Sequence, residues 1–333
     1  MFTSGYTATF NFANAITVGG TGACNLTLGA NMGFAGGGTI GIASGPTMTA
    51  NGRTCPQPIS IGGGVAVVLV GDWINSSLVT ITSTYVNKTT TEKLYCAGGL
   101  TANATGGTAI LVVTGGSIST PSQVVALSAG KIQVAGGSGT VNFATSIKMN
   151  GSSTLSYVSG VVTYCGGFTL SFGGAATVDN WSAYPMPNVI AVNTLTFSGA
   201  PFTIVNLVLP PSGTATYAGA FGWIAANVIC LATGAHVLTL KKGVEYVCTL
   251  SFGMGGTSST VATIASSDAT LLAKLTLRSG CAYDLSWAVL TRLDASSGMT
   301  LYSYHGTLNS TLNSVGTGMP LVFQLLQHPV DVE

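Results

Sequence analysis

The feature that most constrains this chain is a two-residue alternation, broken again and again by glycine. "FTLSF" sets Phe168, Leu170 and Phe172 against Thr169 and Ser171. "NTLTF" sets Leu195 and Phe197 against Thr194 and Thr196. "KLTLR" sets Leu275 and Leu277 against Lys274, Thr276 and Arg278, and "EYVCTLSF" sets Tyr246, Cys248, Leu250 and Phe252 against Val247, Thr249 and Ser251. Successive side chains of a strand point to opposite faces, so each segment reads as a half-buried strand. The β-branched Thr and Val suit that state. Runs such as "GGTG", "AGGSG" and "GMGG" follow the strands and read as turns. "SSDATLLAKL" offers a cap and a short apolar stripe but soon becomes strand, so the chain is expected to be all-β.

Related pieces recur at irregular spacing: "CNLTLGA", "FTLSFGG", "NTLTFSGA", "CTLSFGMGG". Loose self-similarity of short strands predicts a β-solenoid with coils of about 20–25 residues. Composition agrees. Only 6% of residues are charged, against about 25% in an average soluble protein. Coils stacked about 4.8 Å apart would bring like charges into register, where they repel. With 47% hydrophobic residues the chain is not of the disordered class. Residues 1–150 are less regular and hold longer strands, so they are expected to form a β-sandwich-like or irregular β region. Residues 151–333 are expected to form the solenoid.

The same composition excludes several functions. A net charge of +1 gives no field for nucleic acid. The longest aliphatic run, Val65–Val70, is too short to span a membrane, and "MFTSGYTATF" has neither the basic nor the apolar region of an export signal. The seven Cys are scattered without a C-x-x-C and read as small buried thiols rather than a disulfide framework. His236 shares a face with Leu238 and Leu240, and no His has metal-ligand spacing with another His or a Cys. Gly36, Gly38 and Gly41 match a dinucleotide fingerprint by chance, because no helix follows them. No catalytic residue, cofactor or metal is expected. Asp268, Asp284 and Asp294 are the carboxylates that coil stacking would bring nearest one another, as glycan cleavage requires, but each reads first as a turn residue. The aromatic clusters are the better binding candidates: Trp181 and Tyr184 in "NWSAYPMP", and Tyr302 and Tyr304 in "LYSYH". A Thr-rich ice-binding protein or surface adhesin would need an export route and a flat, regular Thr array, and neither is seen.

From "LLAKLTLRSG" through "LTRLDASSGMTLYSYHGTLNS" the pattern resembles the parallel β-helix modules of bacteriophage tail fibres and spikes. The pieces that carry it are the strand Leu275 to Ser279, a second strand ending at Leu290, and the turn Asp294 to Gly298. A strand from Met299 and an Asn-rich closing coil with Asn309 and Asn313 complete it. Upstream, "TLTFSGA" and "HVLTLKKGVEYVCTLSF" are similar to preceding coils of such modules, so the resemblance spans roughly residues 190–315. It implies a right-handed parallel β-helix and a non-enzymatic virion structural protein, assembled in the host cytoplasm. The partners would be itself, as a homotrimer, other virion proteins, and a host surface glycan met by a tail fibre or spike. Residues 1–150 would then serve virion attachment or assembly. A capsid decoration protein or head fibre is the alternative within the same class, and a β-helical glycan depolymerase is a second.

Overall fold

In a computed structural model, residues 130–191, 193–209, 212–230, 235–303, 305–309 and 311 are described. Short strands between Ala8 and Ala126, and at Ser314–Gly316, are described as well. All regular elements among them are strands, and no helix there is long and apolar enough to cross a membrane. The chain divides into two compact units, Met1–Asp179 and Asn180–Glu333.

The first unit is a parallel β-solenoid. Ile16–Val18, Ile40–Ile42, Ile59–Ile61, Val79–Ile81, Leu100–Ala102 and Val124–Ala126 pair in succession, each parallel to the last. A second file runs through Asn25–Thr27, Thr47–Thr49, Val67–Val70, Thr84–Asn87 and Ala109–Val113. This corrects the sandwich expectation for residues 1–150. A sandwich is built from antiparallel sheets, and the strand pairs described there are parallel. Nor does the architecture change at 150. Gly130–Phe143 pairs along most of its length with Ser153–Tyr164, and Ile147–Met149 pairs with Thr169–Phe172. The alternation misleads in the N-terminal part because its strands are only three to five residues long.

The core of this unit is a set of side-chain columns. Ile132 stands opposite Leu155 and Leu155 opposite Val178, all fully buried. Ile147 stacks on Leu170 and Met149 on Phe172 in the same way. Each such aliphatic side chain contributes about 1.5–3 kcal/mol by leaving water. Phe143, Tyr164 and Phe168 pack as a ring cluster, with Tyr164 and Phe168 4.7 Å apart. The polar faces also bond from coil to coil: the Thr169 N–H donates to Ser146 Oγ, 23 residues earlier.

The second unit has two strand files of the same kind. One holds Met186–Ile190, Phe202–Leu209, Trp223–Cys230, Glu245–Gly253, Ala273–Leu277 and Leu293–Asp294. The other holds Asn193–Ser198, Gly213–Gly219, His236–Leu240, Ala262–Ser266, Ala288–Thr291 and Thr307–Asn309. Their inner faces are columns too: Met186, Ile204, Ala225, Cys248 and Leu277 in one, and Ala215, Leu238, Ile264 and Leu290 in the other. Phe197, Phe202, Tyr217, Trp223 and Tyr246 form a buried aromatic cluster, with Trp223 and Tyr246 5.5 Å apart. Gly219, at φ 97°, passes so close to Phe197 that an added Cβ would lie 2.1 Å from its carbonyl oxygen. Only glycine fits that turn.

One sequence expectation fails at a single side chain. Leu250 is 60% exposed, although it alternates with buried Cys248 and Phe252. Cys248 pairs with Ala225 but Ser251 with Asn227, so Glu245–Gly253 carries an extra residue at this point. The bulge shifts the phase and turns Leu250 outward.

A column of amides runs along the first file. Asn206 Nδ2 donates to Asn188 Oδ1 (3.0 Å), and Asn227 Nδ2 donates to Asn206 Oδ1 (2.9 Å). Ser251 Oγ then donates to Asn227 Oδ1 (2.7 Å). The steps are 18, 21 and 24 residues, so the same contact recurs in coils of different length.

Two outcomes follow. Asn227→Ala leaves a part-buried acceptor on Asn206 and a donor on Ser251 unpaired, and should cost about 1–3 kcal/mol in urea unfolding. The second concerns His236, which is 3% exposed with an unpartnered Nε2, and whose pKa burial lowers. A lowered folded-state pKa means that the unfolded chain takes the proton first. Stability should therefore stay level above about pH 6.5 and fall as the pH drops below it. His236→Leu should flatten the melting temperature between about pH 7 and about pH 5. Asp268 and Asp294, whose pKa values are lowered, act only further down, through the ordinary carboxylate range.

Candidate functional site

Three of the four aromatic candidates lie among the described residues. Trp181 is 1% exposed, and its carbonyl accepts the Thr203 N–H. The preceding Asn180, at φ 54°, turns the chain so that the indole enters the core. The expectation of an exposed Trp181 ring is thereby corrected: the ring is buried. Tyr184 is half-buried in the same turn. Tyr302 is half-buried on Leu301–Ser303, at the far end of the strand order, and Tyr304 lies outside the described residues.

The carboxylates considered for chemistry are held by their own turns. Asp284 Oδ1 accepts from the Ser286 N–H (2.9 Å) and Oγ (2.6 Å). Asp294 Oδ1 accepts from the Ser296 N–H and Oγ. Asp268 Oδ1 accepts from Thr270 and from the Leu271 N–H, while its Oδ2 pairs with Lys242 Nζ at 2.5 Å. The Lys242 contact and the turn bonds hold Asp268 well below the usual carboxylate range, and the Ser296 bonds lower Asp294. A general acid needs the opposite shift. Among the described residues, no group of three or more His, Cys, Asp or Glu gathers as a metal would require.

Among the described residues, an open groove of about 350 Å³ lies on the first strand file of the second unit. It follows from register. Ile229 pairs with Gly253, and Gly253 with Asp284, so the outward row reads isoleucine, nothing, carboxylate. In the row beside it Val228 and Phe252 point into the core and are fully buried, so Ile229 and the half-buried Tyr283 supply the apolar wall. Ala282–Asp284 reaches this place because the coil after Cys248 is long: Cys248 pairs with Leu277, and the chain then turns through Gly280. Tyr283 OH donates to the Thr300 carbonyl (2.8 Å), which fixes the ring.

Ser251 lines the groove and ends the amide column, so the column sets its hydroxyl. Cys230 lines it as well. Burial pushes its thiol up to about 11, so it is a neutral thiol at neutral pH. The site is thus one apolar wall with a hydroxyl, a thiol and a carboxylate along it. It suits a small ligand with one apolar face and a hydrogen-bonding edge.

Of these residues, the sequence reading weighed Asp284, and only as half of an acid pair. The missed signal was the spacing of Asn188, Asn206, Asn227 and Ser251, which sets the register of the groove rows. No protein family, characterised protein or solved structure matches the chain.

A Cβ on Gly253 would meet only the Val228 carbonyl oxygen, at 3.6 Å. Gly253→Leu should therefore fill the groove at a cost within about 0.5 kcal/mol. Peptide-resolved mass spectrometry should show slower alkylation of Cys230 in that variant.

Proposed function

We propose that the chain is a structural protein of a bacteriophage virion, a non-enzymatic tail-fibre or spike component that meets the host surface. The observation that carries this reading is a charge-poor parallel solenoid whose turn carboxylates are occupied in shaping the chain. Such a scaffold works through shape and contact. Asp268 and Asp294, lowered by their turns, disfavour the depolymerase alternative.

Self-association is part of the proposal. Ile190, Val205, Ile224 and Leu250 are exposed on one strand file of the second unit. Exposed apolar groups along one file are what a sister chain would cover. The groove is the proposed seat for one ring of a surface glycan. Ile229 and Tyr283 would take its apolar face, and Asp284 and Ser251 its hydroxyls.

The test is where the chain sits in an intact particle. Gold-labelled antibody should decorate the tail, and purified protein should compete with particles for adsorption, while Gly253→Leu should not compete. Label on the shell would assign the chain to capsid decoration instead. Particles that carry no label would end the virion reading.

A further inference from the structure

The outer face of the other strand file in the second unit has a property that the linear sequence conceals. Strand register puts Thr194, Thr216, Thr239, Ala265, Thr291 and Asn309 in one column. A second column, two residues away along each strand, holds Thr214, Val237, Thr263, Val289 and Thr307. All of these residues are half-buried or exposed, and none is charged or aromatic. Between the columns, Leu238, Ile264 and Leu290 point inward and are fully buried, which fixes the backbone beneath.

The hydroxyls of this face are also unclaimed. Elsewhere Thr163, Thr276 and Thr311 donate to protein acceptors. Among the described residues, Thr194, Thr216, Thr239, Thr263 and Thr291 make no such side-chain bond. The face is therefore a grid of free hydroxyls and methyls, about 4.8 Å apart along a column and roughly 6.6 Å between columns. β-branched side chains hold few rotamers, so the grid is rigid before anything binds.

We propose that this face binds ice. In a tetrahedral water network with O–H···O distances of about 2.8 Å, next-nearest oxygens lie about 4.5 Å apart, close to the coil step. Hydroxyls at that repeat hold water in places a lattice can continue, and the methyls between them order it without competing bonds. The neighbouring alternatives fit less well. Saccharide platforms rely on aromatic rings, and this face has none. The core of an interface between copies is apolar, and here hydroxyls interrupt every column. This property is independent of the virion reading.

The full-length protein is tested on a single ice crystal grown slowly in its solution. It should halt growth over a gap below the melting point and be carried into the ice. Thr216→Lys and Thr239→Lys, each shown by circular dichroism to be folded, should lose both effects. Leu271→Lys, which is 54% exposed and off this face, should keep them. The proposal is overturned if the wild-type protein is pushed ahead of the ice front while crystals grow unshaped, or if the lysine variants still arrest growth. It is equally overturned if the wild-type protein ignores ice but binds insoluble cellulose in a Thr239-dependent way, which would assign the face to a polysaccharide.

Discussion

Everything described here depends on in-register parallel pairing of one coil with the next. A parallel pair leaves no two-residue hairpin available, so each strand must travel round a whole coil before it meets its partner. Once it does, hydrogen bonds and side chains fall into columns together. The column Met186, Ile204, Ala225, Cys248 and Leu277 shows the consequence: residues far apart in sequence become neighbours with matched volumes. A small Ala225 sits between Ile204 and Cys248, as interior packing at crystal-like density requires.

Polar groups obey the same rule. In the amide column Asn206 and Asn227 each donate to the coil before and accept from the coil after, so part-buried amides are satisfied without charge. Charge is scarce for a related reason. Lys242 and Asp268 meet in a turn, and where charges do stand in register on the strands, at Glu245, Lys274 and Asp294, their signs alternate.

How much of this was legible in the sequence follows from what alternation can and cannot encode. Phe168, Leu170 and Phe172 alternate without interruption and are buried as expected, and so is His236 beside Leu238 and Leu240. Leu250 was misplaced because one inserted residue reverses the phase, and nothing local marks the insertion. Trp181 was taken for a surface ring because a Pro-containing loop usually lies outside, but the left-handed Asn180 turns the indole inward. The N-terminal strands were harder still, since three-residue strands carry too little period to be told apart from irregular chain. The groove and the hydroxyl grid were illegible for a deeper reason. Both are made by residues about twenty positions apart, and only register says which twenty.

The amide column accepts steps of 18, 21 and 24 residues without losing a bond. Length added to a coil between two column points is therefore expelled as a loop, while the interior continues unchanged. The exterior of such a protein is free to diversify by insertion, gaining new shapes at little thermodynamic expense, because the scaffold counts contacts and is indifferent to the distance travelled between them.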